Sequence, residues 1–202
     1  MIVSVEHKFV FIALPKNASR AVRNWAKGNY SAFQAGKYHG ISKGYRSYFV
    51  FTTKRNPFSR LVSRWNMIFR DNYGGQDYSK KYFNNVLYPN FVKYVTKMPN
   101  KHGKYNPCAS VPLPDYLAPQ THCIQYAQGF FNKPIKIISK DNLEKELKLL
   151  PFVNERKIKL TYPGSHDYGD WRDYYNKGWI IKKVKNFYQD DFDALDYSVY
   201  ID

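Results

Sequence analysis

Two short stretches of the chain combine basic side chains with hydroxyl or amide groups, each directly after an apolar run. The first covers residues 14–20 (Leu-Pro-Lys-Asn-Ala-Ser-Arg), and the second begins at Arg55 and contains Ser63. Lysine, arginine and the N–H groups of a helix N-terminus are groups with which proteins bind phosphate or sulfate. Two such stretches predict a ligand that carries two anionic groups.

The residues around the first stretch indicate how it is positioned. Residues 9–14 are apolar throughout, which favours a strand buried on both faces, and Pro15 ends the strand because it lacks an N–H. Ser19 is a residue type that caps helices, and apolar residues follow it at helical spacing. This order places Lys16 at a helix N-terminus. An ordinary strand–helix junction with a surface lysine is the alternative, whereas a nucleotide triphosphatase P-loop is excluded because the loop has no glycine.

The second stretch follows the same kind of element. Residues 48–53 predict a strand, Asn56 is suited to cap the next helix, and Pro57 suits the first turn of that helix, which extends to about residue 69. The carboxyl ends of parallel strands lie at one edge of a sheet, where ligands of α/β proteins bind. We therefore predict that both basic turns lie at the ends of neighbouring parallel strands.

The remaining pattern alternates strands with helices, which predicts an α/β fold. A third strand is predicted at 135–139, and the predicted helices cover 89–98, a short segment after 116–124, 141–150 with a capping-box-like start at Asp141, and 170–192. There are no repeats and no low-complexity linker. The chain of 202 residues is predicted to form a single domain, 1–202.

Charge and composition indicate the kind of partner and the localisation of the protein. Lys and Arg number 32 against 16 Asp and Glu, an excess of 16 that indicates an anionic partner or a solubilising lysine-rich surface. The N-terminus has no signal-peptide pattern and no apolar run reaches the ~20 residues of a membrane helix, so we predict a cytoplasmic protein without a membrane segment. Cys108 and Cys123 form no zinc-site pattern, and free thiols are expected.

These residues resemble the sulfotransferases that use 3′-phosphoadenosine 5′-phosphosulfate, most closely the carbohydrate (heparan/chondroitin-type) branch. Residues 14–20 resemble the family's 5′-phosphosulfate loop, and residues 55–65 fit every fixed position of its 3′-phosphate signature, R-[DN]-P-x-x-R-x-x-S-x-[YW]. Shorter similarities follow in the family's order at 119–120, 137–147 and 171–197. The resemblance therefore touches most of the chain.

The resemblance implies a P-loop-like three-layer fold with a central parallel sheet flanked by helices. It implies transfer of a sulfuryl group from this donor to an acceptor hydroxyl, on a carbohydrate, without a metal. The implied donor contacts are Lys16, Asn17, Ala18, Ser19, Arg20, Arg55 and Ser63. Lys16 would also act in catalysis, and His39 would be the base, with His122, His166 or a carboxylate as rivals.

The chain departs from the family pattern at three places. Ala18 replaces the commoner glycine, Arg20 stands where Ser or Thr is usual, and Lys140-Asp141 stands where an acidic pair is more typical. The family's Golgi members carry a membrane anchor, which we do not expect in this chain. Arg20 puts one hydroxyl contact to the sulfonate in question.

Two questions stay open at the level of sequence. The excess of positive charge favours an acidic or sulfated saccharide as acceptor. Four loop lysines either contact such an acceptor or belong to the solvated surface: Lys101, Lys104, Lys157 and Lys159. The alternatives to an enzyme are an inactive nucleotide-binding relative and a basic nucleic-acid-binding protein, although we expect no nucleic acid.

Overall fold

The computed structural model describes residues 1–35, 44–67, 91–98, 118–153, 158–162 and 169–201. The chain divides into two compact units. Among the described residues, the first unit contains 1–35, 44–55, 122–153 and 158–162, and the second contains 56–67, 91–98, 118–121 and 169–201. A single sulfotransferase domain over residues 1–202 stays a prediction.

The first unit is built on a five-stranded sheet with the order β3-β1-β2-β4-β5. Its strands are β1 (Ile2–Ser4), β2 (Phe9–Ile12), β3 (Phe33–Gln34), β4 (Phe49–Lys54) and β5 (Lys136–Ser139). The strands β2, β4 and β5 are parallel, whereas β1 pairs antiparallel with both β2 and β3. The predicted α/β class and its three parallel strands are confirmed. The sheet is mixed, however, because two short antiparallel strands extend it on the β2 side.

The helices lie between and after these strands. They are α1 (Ser19–Asn29), α2 (Pro57–Trp65), α3 (Phe91–Lys97), α4 (Gln120–Phe131), α5 (Leu143–Leu147), a 3₁₀ helix (Trp171–Tyr175), α6 (Gly178–Phe187) and α7 (Gln189–Leu195). Within the described part of the chain, none of the helices has the length and apolar character needed to cross a membrane.

Aromatic side chains fill the core of the first unit on one face of the sheet. Phe9 stacks on Phe152 with ring centroids 4.1 Å apart, and Phe11 lies against Phe51 at 5.0 Å. Apolar residues of α1 and α5 complete this cluster. The opposite face of β2 is also buried, with Val10 inaccessible to solvent. Burial on both faces is what the unbroken apolar run predicts.

The second unit is helical, and its last segment differs from the prediction. Instead of one helix over 170–192, the chain forms the 3₁₀ helix, α6 and α7. The Asp170 carboxylate accepts a bond from the Arg172 N–H (3.0 Å) and starts the 3₁₀ helix. Lys177 is extended (φ −128°, ψ 122°), and Tyr188 (φ −108°, ψ 24°) separates α6 from α7. These backbone angles interrupt the helix, although the apolar residues keep helical spacing across the breaks.

A buried carboxylate of the second unit holds the first residues of α4. Asp191 is inaccessible to solvent and accepts bonds from the backbone N–H of Gln120 (2.9 Å) and Thr121 (2.8 Å). It also accepts bonds from Gln120 Nε2 (3.2 Å) and Thr121 Oγ1 (2.9 Å). A negative charge at a helix N-terminus is favoured by the unsatisfied N–H groups there. This contact gives Gln120 of the 119–120 stretch a structural role.

Candidate functional site

The loop after β2 has an unusual backbone. Lys16 (φ 66°) and Ala18 (φ 59°) both have positive φ, with Asn17 between them. The left-handed conformation costs a residue with a Cβ about 1–2 kcal/mol, and such conformations concentrate at functional sites. Left-handed residues that alternate with residues of negative φ turn successive N–H groups to one side, which forms an anion-binding nest.

Two reciprocal hydrogen bonds tie this loop to β4. Asn17, which is buried, donates from Nδ2 to the Thr53 carbonyl (2.7 Å), and Thr53 Oγ1 donates to the Asn17 carbonyl (2.6 Å). The Asn17 N–H also points back toward the Leu14 carbonyl (3.4 Å). The Asn17 side chain therefore holds the loop in place. Its predicted role as a contact to the sulfuryl donor stays a prediction.

Ser19 does not cap α1, contrary to the prediction. The N-cap residue is Ala18, whose side chain makes no capping bond, and Ser19 is the first residue of the helix. The Ser19 hydroxyl donates to the Leu14 carbonyl, because the tight loop brings the end of β2 next to the helix start. Since no side chain caps this helix, its first turn, which includes Arg20, keeps the character of an anion site.

Arg55 joins the second basic turn to the first. It directly follows β4 and donates from Nη1 to the Lys16 carbonyl over 3.1 Å. Because β2 and β4 are parallel neighbours, the loops after them meet at one edge of the sheet. The structure therefore brings Lys16 and Arg55 together within the first unit, as the spacing of the motifs predicts.

A third cation, Lys140, lies at the same edge, at a position where the chain departs from the family pattern. Lys140 directly follows β5, and its N–H donates to the Lys54 carbonyl (2.8 Å) next to Arg55. Burial and then the Arg55 charge lower the pKa of Lys140, and Asp141 opposes them. Its position just after the third parallel strand was the signal that could have identified it.

The helix after Arg55 belongs to the second unit. Asn56 Oδ1 accepts bonds from the N–H of Phe58 (2.9 Å) and Ser59 (3.4 Å), which confirms the predicted cap. Ser63 is buried on α2. On the same helix, Arg64 is also buried and donates from Nε to the Tyr94 hydroxyl (2.9 Å). The role of Ser63 as a contact to the 3′-phosphate stays a prediction from the resemblance.

The predicted bases are placed only in part. His39 and His166 lie outside the described residues, and His122 is a half-buried residue of α4. The lysines 101, 104 and 157 also lie outside them, whereas Lys159 is exposed. Cys123 is a buried free cysteine, and Cys108 is not among the described residues. The described ranges contain no group of three or more His, Cys, Asp or Glu that could hold a metal ion.

Comparisons of the chain with family models, curated proteins and solved structures find no match. The sulfotransferase resemblance therefore depends on the motif residues themselves. The candidate site lies in the first unit, where Lys16, Arg55 and Lys140 follow three adjacent parallel strands.

Proposed function

We propose that the protein is a sulfotransferase that takes a sulfuryl group from 3′-phosphoadenosine 5′-phosphosulfate and transfers it to a hydroxyl of a carbohydrate. The observation that carries this proposal is the bond from Arg55 Nη1 to the Lys16 carbonyl (3.1 Å). It joins the two basic turns whose residues match the family's two phosphate motifs. A nucleotide with phosphates on both the 3′ and the 5′ positions of its ribose suits two cationic turns that lie side by side.

Each turn is suited to one end of the donor. The loop of Lys16, with its left-handed residues and the uncapped start of α1, would bind the 5′-phosphosulfate through N–H groups and the lysine charge. Arg55 would bind the 3′-phosphate, since a guanidinium fork matches the oxygens of a phosphate. The α/β class with parallel central strands is compatible with the P-loop-like arrangement that we propose for this domain.

Transfer would proceed by displacement at sulfur. The acceptor oxygen forms a bond to sulfur, and the bond from sulfur to the bridging oxygen of the 5′-phosphate breaks. The electron pair of that bond stays on adenosine 3′,5′-bisphosphate, and the acceptor proton passes to a base, for which His39 is the candidate. Lys16 would stabilise the charge that grows on the bridging oxygen, as in phosphoryl transfer.

The acceptor class follows from the resemblance and from charge. The excess of 16 positive residues is larger than one donor requires. An acidic or sulfated saccharide would be attracted by that field. We therefore place such saccharides first in the acceptor panel.

Donor binding is tested by calorimetric titration with adenosine 3′,5′-bisphosphate and with AMP. We expect the bisphosphate to bind at least about tenfold more tightly, because only it offers a 3′-phosphate to Arg55. Arg55→Gln should abolish this preference, and the matched control Arg23→Gln, on α1, should keep it. Equal affinity of the parent for both nucleotides would contradict the assignment of Arg55.

Catalysis is tested by transfer of labelled sulfate to a panel of glycans, tyrosine peptides and small alcohols. We expect transfer to a glycan, and Lys16→Asn should reduce kcat by about 10²–10³-fold because one charge is lost from the transition state. Asparagine is chosen because it tolerates the positive φ of this position. Lys27→Asn, at the exposed end of α1, is the control. Undiminished transfer by Lys16→Asn would overturn this mechanism.

A further inference from the structure

We infer that Lys140 is a third donor-binding residue, which contacts the 3′-phosphate together with Arg55. This inference rests on the proposed function, because it assigns a residue to the same ligand. The motifs do not include Lys140, and the family pattern that the chain resembles has an acidic residue type there. Geometry, charge and strand order each favour this assignment.

The position of Lys140 is fixed by the sheet. Ser139, the last residue of β5, is opposite Lys54, the last residue of β4, and the next residues are Lys140 and Arg55. The Lys140 N–H donates to the Lys54 carbonyl (2.8 Å), so the pairing continues one step past the strand end. The backbones of Lys140 and Arg55 therefore lie about 5 Å apart, the spacing of paired strands.

The charges around Lys140 favour an anion between it and Arg55. Among the described residues it forms an ion pair with Asp141, with 3.9 Å from Nζ to Oδ1, and the two side chains are 31% and 56% exposed. An ion pair at that distance and exposure contributes little to stability. The carboxylate of Glu146 accepts the Ser139 N–H at this strand end (3.1 Å). Because two cations lie side by side, a phosphate that contacts both relieves their repulsion.

The order of the strands indicates which phosphate of the donor Lys140 contacts. In the order β2-β4-β5, Lys140 follows the strand next to Arg55 and lies two strands, roughly 10 Å, from the loop of Lys16. The loop of Lys16 is matched to the 5′-phosphosulfate. Lys140 therefore joins Arg55 on the 3′ side, and it should strengthen discrimination for donors that carry a 3′-phosphate.

The test compares three ligands by calorimetry: adenosine 3′,5′-bisphosphate, adenosine 3′-phosphate and AMP. We expect Lys140→Gln to weaken the bisphosphate and the 3′-phosphate about tenfold each and AMP less than about twofold. Lys140→Arg, which keeps the charge, should retain most of the affinity, and circular dichroism checks that both variants are folded. Lys136→Gln is the matched control, since Lys136 is exposed at the other end of β5.

The outcomes separate this inference from the proposed function. If the parent prefers the bisphosphate over AMP but Lys140→Gln binds all three ligands as the parent does, only the role of Lys140 is overturned. A loss that is equal for AMP and adenosine 3′-phosphate would show a general charge effect and would overturn the 3′ assignment. If the parent shows no preference for the bisphosphate, the proposed function and this inference both fail.

Discussion

Ala18 has a backbone conformation that alanine adopts at a cost. Its φ of 59° and ψ of 20° are left-handed, and it is the N-cap of α1 without a side-chain capping bond. Two residues earlier, Lys16 has the same sign of φ. The bonds between Asn17 and Thr53 offset part of this cost because they hold the loop against β4. The two left-handed residues of this loop are those that, in our proposal, present a lysine and backbone N–H groups to an anion.

We expect Ala18→Gly to leave the free energy of unfolding within about 0.5 kcal/mol of the parent, because relief of the left-handed strain offsets the added chain entropy and the lost methyl contact. Ala21→Gly, in the first turn of α1 where φ is negative, should destabilise by about 1 kcal/mol or more. Urea denaturation measures both. Equal destabilisation by the two changes would show that the conformation of Ala18 is not strained.

Residue chemistry identified much of the candidate site before the structure did. Lys16 and Arg55 were predicted to lie at neighbouring strand ends, because basic residues directly follow two apolar runs. Lys140 was not assigned to the site, since the family pattern drew attention to the missing acid instead of to the strand end itself. The cap role of Ser19 was predicted wrongly. A serine at a helix start either caps or bonds to a nearby carbonyl, and the tight loop decides between these.

At the scale of elements, the helix that follows Arg55 begins with a well-formed cap. Asn56 Oδ1 accepts the N–H of Phe58 (2.9 Å), and Pro57 occupies the first helical position. The cap stabilises the start of α2. Its side chain is neutral, so it adds no negative charge next to Arg55.

Substitutions at Asn56 separate the effect of the cap on stability from the effect of the side chain's charge on ligand binding. Asn56→Ala should cost about 1 kcal/mol of unfolding free energy, whereas Asn56→Asp should cost almost none, since both Asn and Asp cap well. Asn56→Asp should nevertheless weaken adenosine 3′,5′-bisphosphate roughly threefold, because it places a carboxylate beside Arg55 in the chain. Urea denaturation and calorimetry measure the two quantities. Unchanged affinity in a stable Asn56→Asp variant would argue against ligand binding by Arg55.

The strands that contain a continuous apolar run were predicted from the sequence. The short strands that depend on pairing, and the breaks between the last helices, were not. The three parallel strands β2, β4 and β5 are recognisable in the sequence because each contains a run of apolar residues. By contrast, β1 has three residues and β3 has two, and both exist because they pair antiparallel next to β2. The predicted helix over 170–192 was wrong for a related reason, since the backbone breaks at Lys177 and at Tyr188 although the apolar spacing continues across both.

At the scale of the whole molecule, charge is the property that two functions would share. An excess of 16 positive residues attracts a nucleotide donor and an acidic saccharide, but it would also attract nucleic acid. Net charge alone does not separate these ligands. The dependence of binding on salt does, because it reports how many charges each ligand brings into contact.

We expect the affinity for adenosine 3′,5′-bisphosphate to fall less than about tenfold when salt is raised from about 50 to about 200 mM. The few charges involved lie closer together than a Debye length of ~10 Å, so screening is incomplete. Binding to a DNA or RNA oligonucleotide that contacts six or more phosphates should fall by about 10³-fold or more over the same range. Titrations of both ligands in the two buffers make the comparison, with AMP as a control for the 3′-phosphate. Oligonucleotide binding that falls steeply with salt in this way, together with bisphosphate affinity no greater than that of AMP, would favour a nucleic-acid-binding protein over a sulfotransferase.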